Sequence, residues 1–369
     1  MTELAPSGIP PLRHLYVYVT EGCNCACKHC WIVSAPSPRG KGAFIDPAVL
    51  DAAIAEAAPL GLESIKWTGG EPTYHPDFPA LLAVQKKHGI GGIMESNGME
   101  ITPPLAALMK ESGVTHVSVS LDGATAETHD GVRGVKGAFR RSLAGIRSLT
   151  DAGFKPQIIM SLLRENVGEL EELLRLAGSL GAGSVKLNVI QPTLRGEELH
   201  AEGGTLTVPE VVELHRRVGR EIQPTVSFPI LFDIPLAFRP LGVFLDANGC
   251  SICSILTVMG LLANGSYALC GIGENLPDLV FGVAGRGELE RIWNGHHVLR
   301  RIRNEIPGRL RGICGVCLMK NACLGACIAQ NYYRSRDLLA PFWFCELAEK
   351  AGIFPAARMG AENGQESAG

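Results

Sequence analysis

The chain lacks the long apolar runs and the strong net charge that are typical of membrane proteins and nucleic-acid-binding proteins. No stretch of its 369 residues approaches the roughly 20 apolar residues that a membrane span needs. The first residues, MTELAPSGIPPLRH, lack the basic and then apolar layout of a signal peptide. A formal net charge of −3 gives no global attraction to nucleic acid or to an anionic membrane. These absences predict a cytoplasmic protein with no membrane or nucleic-acid partner.

Cysteine, by contrast, is abundant, with twelve residues in the chain. Cys23, Cys27 and Cys30 have the spacing C-x3-C-x2-C and follow the apolar run His14–Thr20, which predicts a strand entering a loop. Three thiolates in so short a loop can hold one side of a [4Fe–4S] cluster and leave the fourth iron without a protein ligand. Zinc is the weaker alternative, because a structural zinc site needs four ligands and only His29 lies nearby.

Apart from these three and Cys25, which lies between two of them, eight cysteines remain, enough for two more four-thiolate clusters. Four of the eight form the pattern C-x2-C-x5-C-x3-C from Cys314 to Cys327. In a cytosolic protein such a pattern is more often metal-binding than disulfide-bonded. Disulfides and structural zinc are the alternatives for this region.

Short apolar strands alternate with amphipathic helices from residue 14 to about residue 235. Apolar strands in six strand–helix units predict a parallel sheet with right-handed crossovers, either doubly wound or curved into a partial barrel. Polar residues follow strands one to four and six, which favours the barrel, because a barrel brings these strand ends to one mouth. The predicted strands are Leu15–Thr20, Ser64–Thr68, Gly92–Ser96, His116–Leu121, Gln157–Leu162 and Ser184–Val189. The predicted helices are Pro47–Ala58, Pro76–His88, Pro103–Ser112, Ala138–Ala152, Val167–Leu180 and Val208–Gly219.

The domain organisation follows from these patterns. We expect an N-terminal extension (1–13), the α/β domain (14–235), a Pro/Gly-containing connection (236–249), a cysteine-rich domain (250–350) and a tail (351–369) that is disordered at its end. Within the cysteine-rich domain, Gly287–Glu305 predicts one helix with a basic face, which is more typical of a solvated surface than of a partner-binding patch.

The second predicted strand runs into the turn Gly69-Gly70-Glu71-Pro72. Glycine lets the backbone approach a ligand closely, and the carboxylate of Glu71 can accept a hydrogen bond from an ammonium group. Together with the first three cysteines, this turn resembles the radical S-adenosylmethionine (radical SAM) enzymes, in which the open iron takes the amino and carboxylate groups of SAM. The resemblance covers residues 14 to about 200. It implies a partial (β/α)6 barrel and SAM as cofactor.

The resemblance also implies roles for single residues. Ser96 and Ser120, near the ends of strands three and four, correspond to residues that meet the ribose of SAM, although Ser96 is equally suited to capping a turn. Asp122 is the one candidate for a catalytic or substrate-orienting residue, and Arg133 corresponds to the arginine that pairs with the SAM carboxylate. Arg195 lies in a segment similar to the one whose backbone brackets the adenine. One departure is His29, where the family usually has an aromatic residue.

The late cysteines resemble the SPASM domain of radical SAM maturases. The resemblance implies two auxiliary clusters with interleaved ligands. Auxiliary cluster I would be held by Cys250, Cys253, Cys270 and Cys327, and auxiliary cluster II by Cys314, Cys317, Cys323 and Cys345. If Cys250 and Cys253 do not both bind, cluster I has an open iron. The expected cofactors are therefore three [4Fe–4S] clusters and SAM, with Cys25 as a bystander.

The implied reaction is reductive cleavage of SAM to a 5′-deoxyadenosyl radical, which takes hydrogen from a peptide or protein and leaves a thioether or other crosslink. A ferredoxin-type or flavodoxin-type protein would donate the electron. Since only 13 residues precede the first strand, a separate protein is one way to recognise a substrate's leader peptide. The alternatives are a sulfatase maturase that makes formylglycine, a tetrapyrrole-modifying enzyme of heme biosynthesis, a pure electron carrier and a zinc-structured binding module.

Overall fold

The computed structural model describes residues 8–32, 42–240, 242, 253–271 and 275–360. Cys250, most of the predicted connection and the last nine residues lie outside this range. The strands of the described part are β1 (His14–Tyr18), β2 (Ser64–Thr68), β3 (Gly91–Ser96), β4 (Val114–Ser120), β5 (Gln157–Leu162), β6 (Ser184–Val189), β7 (Ile230–Phe232), β8 (Val258–Leu261), β9 (Ser266–Ala268) and β10 (Val280–Val283).

The α-helices of the described part fall into two groups along the chain. Those that precede residue 240 are α1 (Pro47–Ala57), α2 (Phe78–His88), α3 (Pro103–Glu111), α4 (Ala126–Arg133), α5 (Ala138–Asp151), α6 (Leu170–Ser179), α7 (Arg195–Ala201) and α8 (Val208–Arg217). The later ones are α9 (Leu289–Gly295), α10 (His297–Glu305), α11 (Gly312–Val316), α12 (Lys320–Cys323), α13 (Ile328–Ser335) and α14 (Trp343–Lys350). None of the described helices is long and apolar enough to cross a membrane.

The sheet has the strand order β10-β9-β8-β1-β2-β3-β4-β5-β6-β7. Strands β1 to β7 are parallel and follow one another in chain order. In a doubly wound sheet the strand order would reverse at a switch point, whereas an unbroken order with right-handed crossovers puts the connecting helices on one face. The prediction of an α/β fold with a partial barrel is therefore confirmed.

The cysteine-rich segment continues this sheet. β8 pairs in parallel with β1, and β9 and β10 add antiparallel strands beyond it. The three strands lie within residues 258–283, inside the range predicted for the second domain. Backbone hydrogen bonds between β1 and β8 thus join the two predicted domains in one sheet.

The outer face of the sheet packs against the helices, and the inner face is polar. On β2, Ile65 and Trp67 are fully buried in the main core, together with Leu50 of α1 and Leu81 of α2. Because side chains alternate along a strand, Lys66 between them faces the inner side. The same alternation on each parallel strand explains why one face carries aliphatic residues and the other carries Ser, Lys, Glu and His.

Several helices begin with side chains that cap their first turn. Asp46 caps α1 by accepting a hydrogen bond from the amide of Ala48, and a proline stands in the first turn. Thr207 and Glu210 form a reciprocal capping box at the start of α8.

One predicted helix was wrong. The segment Gly287–Glu305 forms two helices, α9 and α10, with the break at His296, whose ψ of 131° is extended. The preceding Asn294-Gly295 pair has low helix propensity, and this explains the interruption. The segment around His129 and Arg133, for which no helix was predicted, is helix α4.

Candidate active site

The loop after β1 brings the first cysteines together at the carboxyl ends of the parallel strands. Cys23, Cys25, Cys27 and Cys30 form one cluster with the side chain of Met99. The amide of Ala26 donates to the carbonyl of Arg133 at 2.9 Å, and that of Lys28 donates to the carbonyl of Val132 at 3.0 Å. The last turn of α4 therefore anchors the cysteine loop.

The glycines of the Gly69–Pro72 turn have a role that differs from the expected approach to a ligand. The amide of Gly70 donates to the carbonyl of Thr20 at 2.7 Å, and that of Glu71 donates to the carbonyl of Gly22 at 3.0 Å. A Cβ atom on Gly70 would lie 2.0 Å from the carbonyl oxygen of Gly22. Gly69 has a φ of +128°, in the region that favours glycine. The two glycines let the turn pack directly against the backbone that leads to Cys23.

Glu71 is buried and makes four hydrogen bonds within the protein. Its carboxylate accepts from the amide and hydroxyl of Thr73 at 3.1 and 2.6 Å, from the hydroxyl of Ser96 at 2.8 Å and from the amide of Asn97 at 2.7 Å. Burial raises the pKa of Glu71, against the hydrogen bonds that favour its ionised form. The hydroxyl of Ser96 is thus already engaged, and the carboxylate joins the turn after β2 to the end of β3.

Asp122 and Arg133 form a buried ion pair beside the cysteine loop. Arg133 Nη2 lies 2.6 Å from Asp122 Oδ2, and Asp122 is fully buried. Arg133 Nη1 donates to Cys27 Sγ at 3.5 Å, and Arg133 Nε is buried without a hydrogen-bond partner. Burial alone would raise the pKa of Asp122, but Arg133 and His29 hold it below its usual range. The pair places the Arg133 cation next to the cysteines. Its Nε–H group remains available to donate a hydrogen bond.

Asp122 also makes hydrogen bonds to neighbouring elements through its side chain and its backbone. The amide of Ser161 on β5 donates to Asp122 Oδ1 at 2.8 Å, and Asn166 Nδ2 donates to the Asp122 carbonyl at 2.9 Å. The Asp122 amide donates to His129 Nδ1 at 3.0 Å, and burial lowers the pKa of His129 to about 4. The carboxylate, predicted as a catalytic candidate, is therefore engaged with protein groups. Asn166 was missed, because nothing in its local sequence signals a contact with the segment that follows β4.

Two further predicted residues lie at the same mouth. Ser120 ends β4 and is partly exposed. Arg195 begins α7, and its Nη1 donates to the carbonyl of Cys27 at 2.8 Å. The structure thus places Ser120 and Arg195 at the carboxyl ends of the parallel strands, as it does Gly69, Gly70, Glu71, Ser96, Asp122 and Arg133.

The last cysteines surround a separate space. Cys314, Cys317, Cys323 and Cys345 all line one small cavity, together with apolar side chains such as Leu310 and Phe342. Burial, with added contributions from Cys314 and Cys317, raises the pKa of Cys323 to about 11. Four thiols around an enclosed apolar space are a donor set that suits an iron–sulfur cluster.

A third group of thiols is distinct from the cavity. Burial raises the pKa of Cys327, and the neighbouring Cys253 and Cys270 raise it further. Cys323 and Cys327 point to different groups, because the three residues between them have left-handed backbones, with φ values of 55° at Leu324, 80° at Gly325 and 58° at Ala326. Cys250 lies outside the described residues.

The described cysteines form no disulfide with one another. No three His, Cys, Asp or Glu side chains of the described part converge as the ligands of a single metal ion would. The thiols are instead distributed as three sets, one in the β1 loop and two in the C-terminal region.

Comparison with known proteins identifies the class of enzyme. The radical SAM superfamily model matches residues 17–177. The AdoMet-dependent heme synthase of Methanosarcina barkeri is 30% identical over 344 residues, which cover 89% of this chain and 94% of that protein. The chain therefore belongs to the radical SAM superfamily, as its motifs predicted. It is an enzyme, and its family implies a [4Fe–4S] cluster and SAM.

Two other relatives extend over most of the chain. The mycofactocin maturase MftC of Mycobacterium ulcerans is 29% identical over 354 residues, 92% of this chain and 91% of that protein. The crystal structure of Streptococcus suis SuiB bound to precursor peptide SuiA has the same fold, with a TM-score of 0.71 at 15% identity over 92% of this chain and 77% of SuiB.

Proposed function

We propose that this radical SAM enzyme removes hydrogen from a peptide or protein and leaves an oxidative modification, such as a thioether or other crosslink. The similarity to mycofactocin maturase, over 92% of this chain, carries the proposal. The two additional sets of thiols support it, because an enzyme that only cleaved SAM would not need them.

In this proposal, Cys23, Cys27 and Cys30 hold the first cluster and leave one iron open. When bound there, the cluster and SAM supply a 5′-deoxyadenosyl radical that takes hydrogen from the substrate. The chain's own residues bind and orient SAM. Arg133 has a donor left for the SAM carboxylate, and the arginine side chain is suited to that group.

The other contacts are proposals of the same kind. The backbone of Gly69 and Gly70, together with Glu71, borders the amino group of SAM. Ser120 is the more available of the two predicted ribose contacts, because the hydroxyl of Ser96 donates to Glu71. The segment at Arg195 brackets the adenine, and Asp122 orients Arg133.

We further propose two auxiliary [4Fe–4S] clusters, three clusters in total. Cluster II is held by Cys314, Cys317, Cys323 and Cys345, supported by the cavity that these four line. Cluster I is held by Cys253, Cys270 and Cys327 with Cys250, supported by the proximity of the first three. Residues 14–235 and 250–350 then supply the two domains of the enzyme. A ferredoxin-type or flavodoxin-type donor and a separate leader-recognition protein complete the proposed cytoplasmic system.

A tetrapyrrole substrate is the second candidate. The 30% identity to a heme synthase, over 94% of that protein, favours it. The two candidates share a fold and differ in the substrate that triggers turnover.

Anaerobic incubation with SAM, reductant and the peptides encoded beside the gene tests the proposal. A peptide substrate should stimulate formation of 5′-deoxyadenosine and become about 2 Da lighter, through the loss of two hydrogens. Cys317→Ala with Cys345→Ala should abolish the product while some uncoupled SAM cleavage persists; circular dichroism excludes unfolding. Stimulation by a tetrapyrrole and by none of the peptides would contradict the proposal.

A further inference from the structure

The inner face of the barrel carries charged side chains that SAM binding does not use. Lys66 of β2 stands between the fully buried Ile65 and Trp67, so it faces inward. Lys186 of β6 stands in the same way between the buried Val185 and Leu187. Two lysines inside a barrel are costly to bury unless they meet negative charge.

Only one of the two lysines has an acidic partner. Lys66 Nζ lies 2.7 Å from Glu95 Oε1 on β3, and its ammonium lies 4.9 Å from the centre of the Tyr16 ring. The Glu95 side chain is 38% exposed, so the pair opens onto the inner space. Lys186 forms no ion pair with any residue that the structure describes.

Electrostatics connects Lys186 to this pair. Burial alone would raise the pKa of Glu95, but Lys66, with Lys186 and His116 nearby, lowers it. Glu95 is therefore ionised, and its charge is paired with Lys66 while Lys186 lies nearby. Together Lys66, Glu95 and Lys186 carry an excess of one positive charge.

The position of Lys186 fits a substrate site. Ile159 on β5 pairs with Lys186 on one side and with Ser120 on the other, so Lys186 is in register with the last residue of β4. Asn188, two residues further along the same face, has a buried Oδ1 without a hydrogen-bond partner. Lys66 lies near Cys253 of the third thiol group.

We propose that Lys186, beside the Lys66–Glu95 pair, binds a carboxylate of the substrate inside the barrel. The assignment rests on the proposed function and names the group by which the substrate is held. Glu95 neutralises Lys66 and leaves Lys186 as the cation that an incoming anion meets. The carboxylate belongs to a peptide side chain or C-terminus, or to a propionate of a tetrapyrrole.

Chemical footprinting tests the site without turnover. The holoenzyme with SAM is acylated at its lysines in the presence of 4-phenylbutyrate or of its neutral amide, at matched ionic strength, and each lysine is followed by mass spectrometry. The acid should slow acylation of Lys186 severalfold, and the amide should not. The exposed Lys155 should react alike in both. Equal acylation of Lys186 with the acid and the amide would overturn the site.

The same footprinting experiment, repeated with a peptide and with a porphyrin, distinguishes the two natural sources of the carboxylate. A glutamate-containing peptide that protects Lys186, when its glutamine counterpart does not, supports a peptide source; protection by a porphyrin with propionates alone supports a tetrapyrrole. In the second case the site stands while the peptide function fails. With the substrate that is turned over, Lys186→Met should raise KM roughly 10- to 150-fold, as expected for a lost charged hydrogen bond. Lys186→Arg should recover much of it, and Lys155→Met should match the parent. An unchanged KM for Lys186→Met would contradict the assignment.

Discussion

Glu71 is held by donors of its own chain, so its first role is to keep the turn after β2 against the end of β3. Four hydrogen bonds from Thr73, Ser96 and Asn97 converge on this one carboxylate. The sequence indicated that the residue matters, through its position after two glycines. It did not indicate which groups the carboxylate would meet, since Ser96 and Asn97 are brought to it by the parallel pairing of β2 and β3.

We expect Glu71→Ala to lower the free energy of unfolding by at least about 4 kcal/mol, because four buried donors lose their acceptor and each costs about 1–3 kcal/mol. Ser96→Ala removes one of these donors and should cost about 1 kcal/mol. Anaerobic denaturant titration measures both. Equal stability of Glu71→Ala and the parent would show that these hydrogen bonds do not support the turn.

Arg133 needs a substitution that keeps its charge, because removing a partner from the buried pair with Asp122 would itself cost about 3–5 kcal/mol. Arg133→Lys keeps the cation for Asp122 and loses the planar fork that matches a carboxylate. We expect near-parental iron content and about 10-fold weaker SAM binding, the loss that follows from one charged hydrogen bond. Arg141→Lys, on the surface beside Glu100, is the matched control. Parental SAM affinity in Arg133→Lys would argue against the proposed contact.

Among the elements, the contact between the Gly69–Pro72 turn and the cysteine loop connects two motifs that lie about forty residues apart in the sequence. The contact is backbone to backbone and leaves no space for a side chain at Gly70. Glycine is needed at position 70 because any side chain there would push the cysteine loop away from the turn.

Gly70→Ala should therefore displace the loop and lower the iron bound by the first cysteines. Its Cβ atom would meet the carbonyl oxygen of Gly22 at 2.0 Å, closer than any real contact. Gly131→Ala is the control, since a Cβ atom on this glycine of α4 meets nothing within 4 Å and alanine suits a helix. Iron analysis after anaerobic reconstitution compares the two. A parental iron content in Gly70→Ala would mean that the loop tolerates the shift.

The elements themselves were largely predictable. Strong periodicity and caps located strands β1 to β6 and helices such as α1 and α8, with errors of one or two residues at the ends. Helix α4 was missed because its polar sequence, AETHDGVR, has little apolar periodicity, and it is held by Thr125 at its start and by packing of Val132. The grouping of Lys66, Glu95 and Lys186 on the inner face was missed as well. The sequence of a short strand does not show which charged residues of other strands will lie beside its own, because this depends on how the strands pair.

At the scale of the whole molecule, the order of the cysteines along the chain differs from their grouping in space. Cys323 and Cys327 are separated by three residues, yet they belong to different groups, and Cys345 joins Cys314 across a helix pair. Spacing alone could not assign these ligands, since the left-handed turn between Cys323 and Cys327 is visible only in the backbone. The resemblance to a family supplied the grouping, which stays a prediction of the cluster ligands.

Three clusters predict about 12 iron atoms per chain after anaerobic reconstitution, four for each cube. Replacing Cys23, Cys27 and Cys30 together with Ala should remove about four of them, because the other two sets of thiols lie elsewhere in the fold. Cys317→Ala with Cys345→Ala should remove a different four or so, from the C-terminal cavity, and leave the first cluster to bind SAM. Cys25→Ala is the control: its thiol is buried beside Cys23 and Cys27 but is predicted not to be a ligand, so the full iron content should remain. Iron and sulfide analysis with electron paramagnetic resonance of the reduced protein separates the clusters. A parental protein that binds only about four iron atoms would contradict both auxiliary clusters and leave the late cysteines without a cofactor.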